Sequence, residues 1–124
     1  MSFSYHYSLP ANSSDGVTKE VKGVLSIEGE ELLFEYKLYD QSGTAISTLN
    51  KFSILVDYLT RTHFKKGVFH NKLVLESTLP VYFNPVPGSS DGKLALSIKN
   101  EDRKEAQQFS AKINEALVLR RDEK

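Results

Sequence analysis

Residues 92–117 read GKLALSIKNEDRKEAQQFSAKINEAL, and the hydrophobic period changes partway along. From Lys93 to Lys99 polar and apolar side chains alternate, as on a strand with one face buried. Beyond Asn100 the apolar residues recur every three to four positions. Ala106, Phe109, Ile113, Ala116 and Leu117 share one stripe of a helix, while Lys104, Glu105, Gln108, Lys112 and Glu115 face the other way. Asn100 is placed to cap the helix start, Glu101 and Asp102 complement its positive end, and Arg120, Arg121 and Lys124 lie near its negative end. A lone helix with one apolar stripe has to cover something, and the open end of a curled antiparallel sheet is the simplest surface available to it.

The rest of the chain supplies that sheet. It has no internal repeat and is punctuated into short extended pieces by turn-forming residues. Residues 19–27 place Val21, Gly23, Leu25 and Ile27 on one face, and the reversal Glu28-Gly29-Glu30-Glu31 returns the chain into residues 32–39, which pair antiparallel with them. A weaker strand is expected at 44–49. Residues 52–56 read as a helical turn leading into a strand over 55–64, and Lys65-Lys66-Gly67 turns the chain into a strand over 68–76. With Lys66-Gly67 as a two-residue loop, Phe64 sits opposite Phe69 and His63 opposite His70. Residues 79–83 are expected as an edge strand, because Pro80 cannot donate to a ladder; 84–92 form the longest loop, and 93–99 are the seventh strand. Phe3-Ser4-Tyr5-His6-Tyr7-Ser8-Leu9 alternates aromatic and polar residues and stands outside this count, as an accessory strand or a tail.

Composition narrows the function classes. At 124 residues with 40% hydrophobic content the chain fits one domain with a real core. Sixteen Lys plus Arg balance sixteen Asp plus Glu, so a duplex nucleic acid is not expected as a partner, since phosphate-backbone affinity comes largely from excess Lys and Arg. The chain has no cysteine, which removes disulfides, thiolate chemistry and Cys-ligated zinc. No apolar run approaches the roughly 20 residues that span a bilayer, and MSFSYHYSLP does not resemble a signal peptide, so a cytoplasmic protein is the expectation. Asn12-Ser13-Ser14 matches the glycosylation sequon, a pattern short enough to occur by chance.

Seven strands followed by one helix resemble the PH-like (pleckstrin-homology-like) fold. Several stretches are more narrowly similar to uncharacterised bacterial PH-like domain proteins. Gly23-Val24-Leu25-Ser26-Ile27-Glu28-Gly29 with Leu32-Leu33-Phe34-Glu35-Tyr36 is similar to their opening hairpin. Leu73-Val74-Leu75, Val86-Pro87-Gly88-Ser89 and Leu96-Ser97-Ile98 with Asp102-Arg103 and Ala106 are similar to their closing half. The resemblance implies a mainly β PH-like barrel: seven antiparallel strands in two near-orthogonal sheets, capped by one C-terminal α-helix. It makes residues 17–120 the PH-like domain, 1–16 an N-terminal aromatic strand or tail, and 121–124 a charged C-terminal tail. In phosphoinositide-binding members the loop between the first two strands supplies lysines and arginines. Here that loop is expected to be Glu28-Gly29-Glu30-Glu31, whose carboxylates repel phosphate.

Chemistry-bearing clusters are sparse. His63, His70 and Asp57 are the one group that could hold a metal, and two solvated histidines beside a Lys-Lys turn is the favoured reading, because a one-residue slip in register parts them. No Gly-x-Ser-x-Gly elbow occurs, Gly88-Ser-Ser-Asp-Gly92 lacks the lysine of a phosphate-binding loop, and Glu30 and Glu31 point to opposite faces of a strand. Neither enzyme activity nor a cofactor or metal is expected. Lys65 and Lys66, among Phe64, Val68 and Phe69, form a basic and aromatic tip suited to an anionic membrane, weighed against a solvated turn. Phe3, Tyr5 and Tyr7 are candidate contact anchors if their segment lends a strand to a neighbour, weighed against packing on their own domain. The resulting expectation is a non-catalytic PH-like module that binds a protein or peptide, self-association included, with peripheral lipid binding through Lys65-Lys66 as the alternative.

Overall fold

The computed structural model describes residues 1–10, 18–68 and 70–122, with side chains through Arg120. The strands are β1 (Ser2–Leu9), β2 (Lys19–Glu28), β3 (Glu31–Tyr39), β4 (Asn50–Leu55), β5 (Leu59–Lys65), β6 (Asn71–Ser77) and β7 (Lys93–Ile98). The helix α1 (Arg103–Asp122) follows. All neighbouring strands are antiparallel, and they form one sheet in the order β4-β3-β2-β1-β7-β6-β5, which is not closed. The ladder between β1 and β7 has a single residue pair, His6 with Ser97, so four strands and three strands meet at a narrow junction. Among the described residues no helix is long and apolar enough to cross a membrane.

Period-two alternation decides which side chains enter the core. Phe3, Tyr5 and Tyr7 of β1, Val21 and Leu25 of β2, and Leu32, Phe34 and Tyr36 of β3 are buried, as are Leu73 and Leu75 of β6 and Leu94, Leu96 and Ile98 of β7. The helix stripe behaves as its spacing requires: Ala106, Phe109, Ile113 and Leu117 are buried, and Phe109 meets Phe3 edge to face with ring centroids 5.2 Å apart. The amphipathic helix is therefore a lid on the sheet's inner face.

Several expectations need correction. Residues 2–9 are neither accessory nor a tail but a central strand, paired with β2 over its whole length. The acidic reversal is therefore the β2–β3 turn and not the connection after the first strand, and residues 11–17 lie outside the described residues. Residues 44–49 contribute only the bridge of Tyr39 with Ala45, because the Asp40 carboxylate accepts from the backbone N–H groups of Ser42 and Thr44 and holds the segment in a local turn. The expected helical turn at 52–56 is instead mostly strand β4, with a 3-10 turn at Val56–Tyr58. Residues 80–83 are a 3-10 turn with Pro80 in its first positions, where the missing N–H is not needed. Asn100 does not cap α1. Its Oδ1 accepts from the buried Asn71 side chain, and the helix proper starts three residues later.

One polar clamp fixes the helix to the sheet. Asn114 on α1 accepts the Thr62 N–H (2.8 Å) and donates to the Thr62 carbonyl (2.9 Å), so its side-chain amide pairs with β5 as a neighbouring strand would. The Thr62 hydroxyl, buried with Ser110, lies 2.7 Å from that residue's Oγ. Replacing Asn114 by Ala is expected to cost about 1–3 kcal/mol, the penalty for two backbone groups left partly buried without partners. Urea unfolding of Asn114→Ala against Asn114→Asp, which retains the acceptor, checks the assignment. The Asp variant should fall between the other two.

Candidate functional site: an open sheet edge

An open sheet has two edge strands, and this chain treats them differently. The β5 edge is closed at its centre by Asn114. For β4, the Val56 N–H donates to the Glu30 carbonyl (2.8 Å), which sets the phase of the β3–β4 ladder. By antiparallel alternation, Asn50, Phe52 and Ile54 then make the bonds to β3, and the backbone groups of Lys51, Ser53 and Leu55 point away from the sheet. Among the described residues no hydrogen bond reaches those outward groups.

Beside this edge runs a largely apolar groove lined by Phe52, Leu55, Tyr58, Val81 and Tyr82, together with Glu31 and Ser53. The 3-10 turn Pro80–Phe83 builds its far wall. Phe83 is fully buried and packs on Phe34 and Phe52 (centroids 6.4 and 6.3 Å), which anchors the turn from beneath. Tyr82 stacks on Tyr58 with centroids 4.2 Å apart, and the Thr78 N–H donates to the Tyr58 carbonyl (2.8 Å), so the two walls are tied together. Val81 (58%) and Tyr58 (38%) remain exposed in its lining. A row of outward backbone groups next to pre-formed apolar walls can take an extended chain: the backbone supplies affinity and the groove selects alternate side chains.

The residues singled out from sequence sit elsewhere. Phe3, Tyr5 and Tyr7 are core residues, buried between the sheet and its cover, and the segment pairs within its own domain. The Tyr7 hydroxyl donates to the Pro87 carbonyl (2.6 Å), and burial pushes the hydroxyls of Tyr5 and Tyr7 well above the ordinary tyrosine range. All three side chains are part of the packed core. Lys65 closes β5 and Lys66 follows it, both exposed, next to Val68 at 83% exposure. Phe69 and the Asn12-Ser13-Ser14 sequon lie outside the described residues.

The histidine pairing is also corrected. His63 faces Val74, not His70, because the observed register pairs Phe64 with Leu73 and leaves a connection longer than two residues. His63 lies 3.6 Å from Glu76, whose carboxylate also takes Arg61 and Lys93; the hydrogen bond from Arg61 is the main cause of its depressed pKa. Asp57 pairs with Arg120, far along the helix. Among the described residues no three metal-ligating side chains come together. Sequence reading passed over the β4 edge, although Phe52, Ile54 and Val56 alternate there with Lys51, Ser53 and Leu55; the short apolar run fits a helical turn equally well.

No protein-family model, curated protein or solved structure matches this chain.

Proposed function

We propose that this protein is a non-catalytic PH-like binding module that takes an extended protein segment as an added strand along β4. The observation that carries the reading is the contrast between the edges: Asn114 blocks β5, while Lys51, Ser53 and Leu55 keep their backbone groups outward beside an apolar groove. Natural sheets ordinarily cover or charge such an edge to prevent unwanted pairing, and here Lys51 is the single charged residue of β4. The order of strands supports the PH-like part of the reading. The groups β4-β3-β2-β1 and β7-β6-β5, joined by one residue pair and covered by α1, suit two sheets set at a large angle with a helix across their opening. The favoured ligand has apolar side chains at alternate positions, facing Phe52, Tyr58 and Val81, with polar ones between them.

The test is selection of extended peptides from a randomised library against the intact chain, followed by affinity measurement on Ser53→Pro. Proline removes one outward N–H without breaking the bonds of β4 to β3. A loss of roughly tenfold or more, about 1–3 kcal/mol, is expected with the melting temperature nearly unchanged. Equal affinity for the variant would contradict the reading, as would ligands whose binding shifts NMR amide signals away from 51–55.

A further inference from the structure

On the outer face, one row of cross-strand partners runs across six strands. Lys37 on β3 is opposite Lys22 on β2, Lys22 opposite His6 on β1, His6 opposite Ser97 on β7, Ser97 opposite Lys72 on β6, and Lys72 opposite Lys65 on β5. Like charges directly opposite one another destabilise a sheet, and a neutral chain has carboxylates available to break such a row. Neighbouring rows do so: Glu76 sits between Arg61 and Lys93 and pairs with both, and Lys51 lies opposite Glu35. Lys22, Lys37, Lys65 and Lys72 are exposed and join no ion pair among the described residues; Lys22 lies over the Tyr39 ring instead. Folding does not account for this concentration of charge.

The middle of the row coincides with the weakest seam of the sheet, the single-pair junction of β1 and β7. A depression opens there, lined by Ser4, Tyr5, His6, Glu20, Lys22, Gly23 and Lys99. We infer that this depression binds a phosphate group, with Lys22 and Lys99 supplying charge and Ser4 and His6 supplying hydrogen-bond donors. Glu20 is the one carboxylate lining it, set against the two ammonium groups of Lys22 and Lys99. Burial holds the His6 imidazole below its ordinary pKa. Lys99 and Lys22 and the neighbouring His70 push in the same direction, and Glu20 opposes them. His6 is therefore neutral at neutral pH and gains its charge as the pH falls, which strengthens its hold on an anion. The site is separate from the β4 edge, so neither proposal depends on the other.

The experiment titrates the isotope-labelled intact chain with inorganic phosphate and with sulfate, whose charge does not change over the range used, at about pH 5, well below the ordinary histidine range, and about pH 7.5. Saturable shifts at residues 4, 6, 22 and 99 are expected, and Lys22→Ala and Lys99→Ala should each weaken binding roughly tenfold. Sulfate should bind several times more tightly at the lower pH, and His6→Gln should abolish that difference. A parallel flotation assay with phosphatidylglycerol vesicles distinguishes the source. Binding to vesicles but not to free phosphate, lost in the same two lysine variants, identifies a lipid headgroup; binding in solution alone identifies a soluble phosphate. Absence of binding in both arms overturns the inference, as does binding that the two lysine variants leave intact. Ser53→Pro should bind phosphate like the parent chain, which keeps this result independent of peptide binding.

Discussion

Phe109→Ala is expected to remove about 3–5 kcal/mol of stability and to lower the melting temperature by roughly 10–20 °C. Phe109 is 1% exposed, sits in the stripe between Ala106 and Ile113, and packs edge to face on Phe3 of β1. Truncation would leave a cavity at the contact of helix and sheet, where the central strand gives the surroundings little room to collapse. The same change at Gln108 or Lys112, on the exposed face, should stay within about 0.5 kcal/mol. Calorimetry on the three variants separates a lid from a helix that merely rests on the surface. Similar melting temperatures for all three would mean that α1 contributes no core.

Gly23→Ala is the second large effect, and it arises from too little space. Gly23 lies in β2 between Tyr5 and Tyr36, and a Cβ there would stand 2.2 Å from the Glu35 carbonyl oxygen, 2.8 Å from the Tyr36 Cβ and 2.8 Å from the Tyr5 hydroxyl. The first two contacts belong to β3 itself, so β2 and β3 would have to separate at the centre of the sheet. A loss of about 3 kcal/mol is expected, at the upper end of ordinary overpacking. Gly29 provides the contrast. Its φ of +61° favours glycine, but nothing lies within 4 Å of the added Cβ, so Gly29→Ala should cost only about 1–2 kcal/mol. Urea denaturation that ranks Gly29→Ala as the more damaging change would show that β2 and β3 are not in this register.

How much was legible depended on the kind of signal. The helix, its buried stripe, and the β2–β3 hairpin followed from period and turn chemistry, because burial on one face leaves a direct trace in sequence. The alternation of Phe3, Tyr5 and Tyr7 likewise marked one buried face. It could not indicate that β1 lies between β2 and β7, since period two specifies a face and not a neighbour. The expected total of seven strands matches the observed number through different members: β1 and β4 are strands, while 44–49 and 79–83 are not. Asp40 diverted the first of these into a local turn and Pro80 opened a 3-10 turn in the second, both through hydrogen bonding that hydrophobic pattern does not record. The candidate site was the least legible part. Outward backbone groups carry no side-chain signature, and the basic row assembles residues as far apart as His6 and Lys72 that only the register brings into line.

Amide hydrogen exchange, resolved residue by residue on the free protein, tests directly whether β5 is clamped at Thr62 while the β4 edge stays open. Slow exchange is expected at Thr62, held by Asn114, and fast exchange at Lys51, Ser53 and Leu55 while Phe52 and Ile54 beside them stay protected. Protection at Lys51, Ser53 and Leu55 equal to that of their neighbours, or rapid exchange at Thr62, would contradict it.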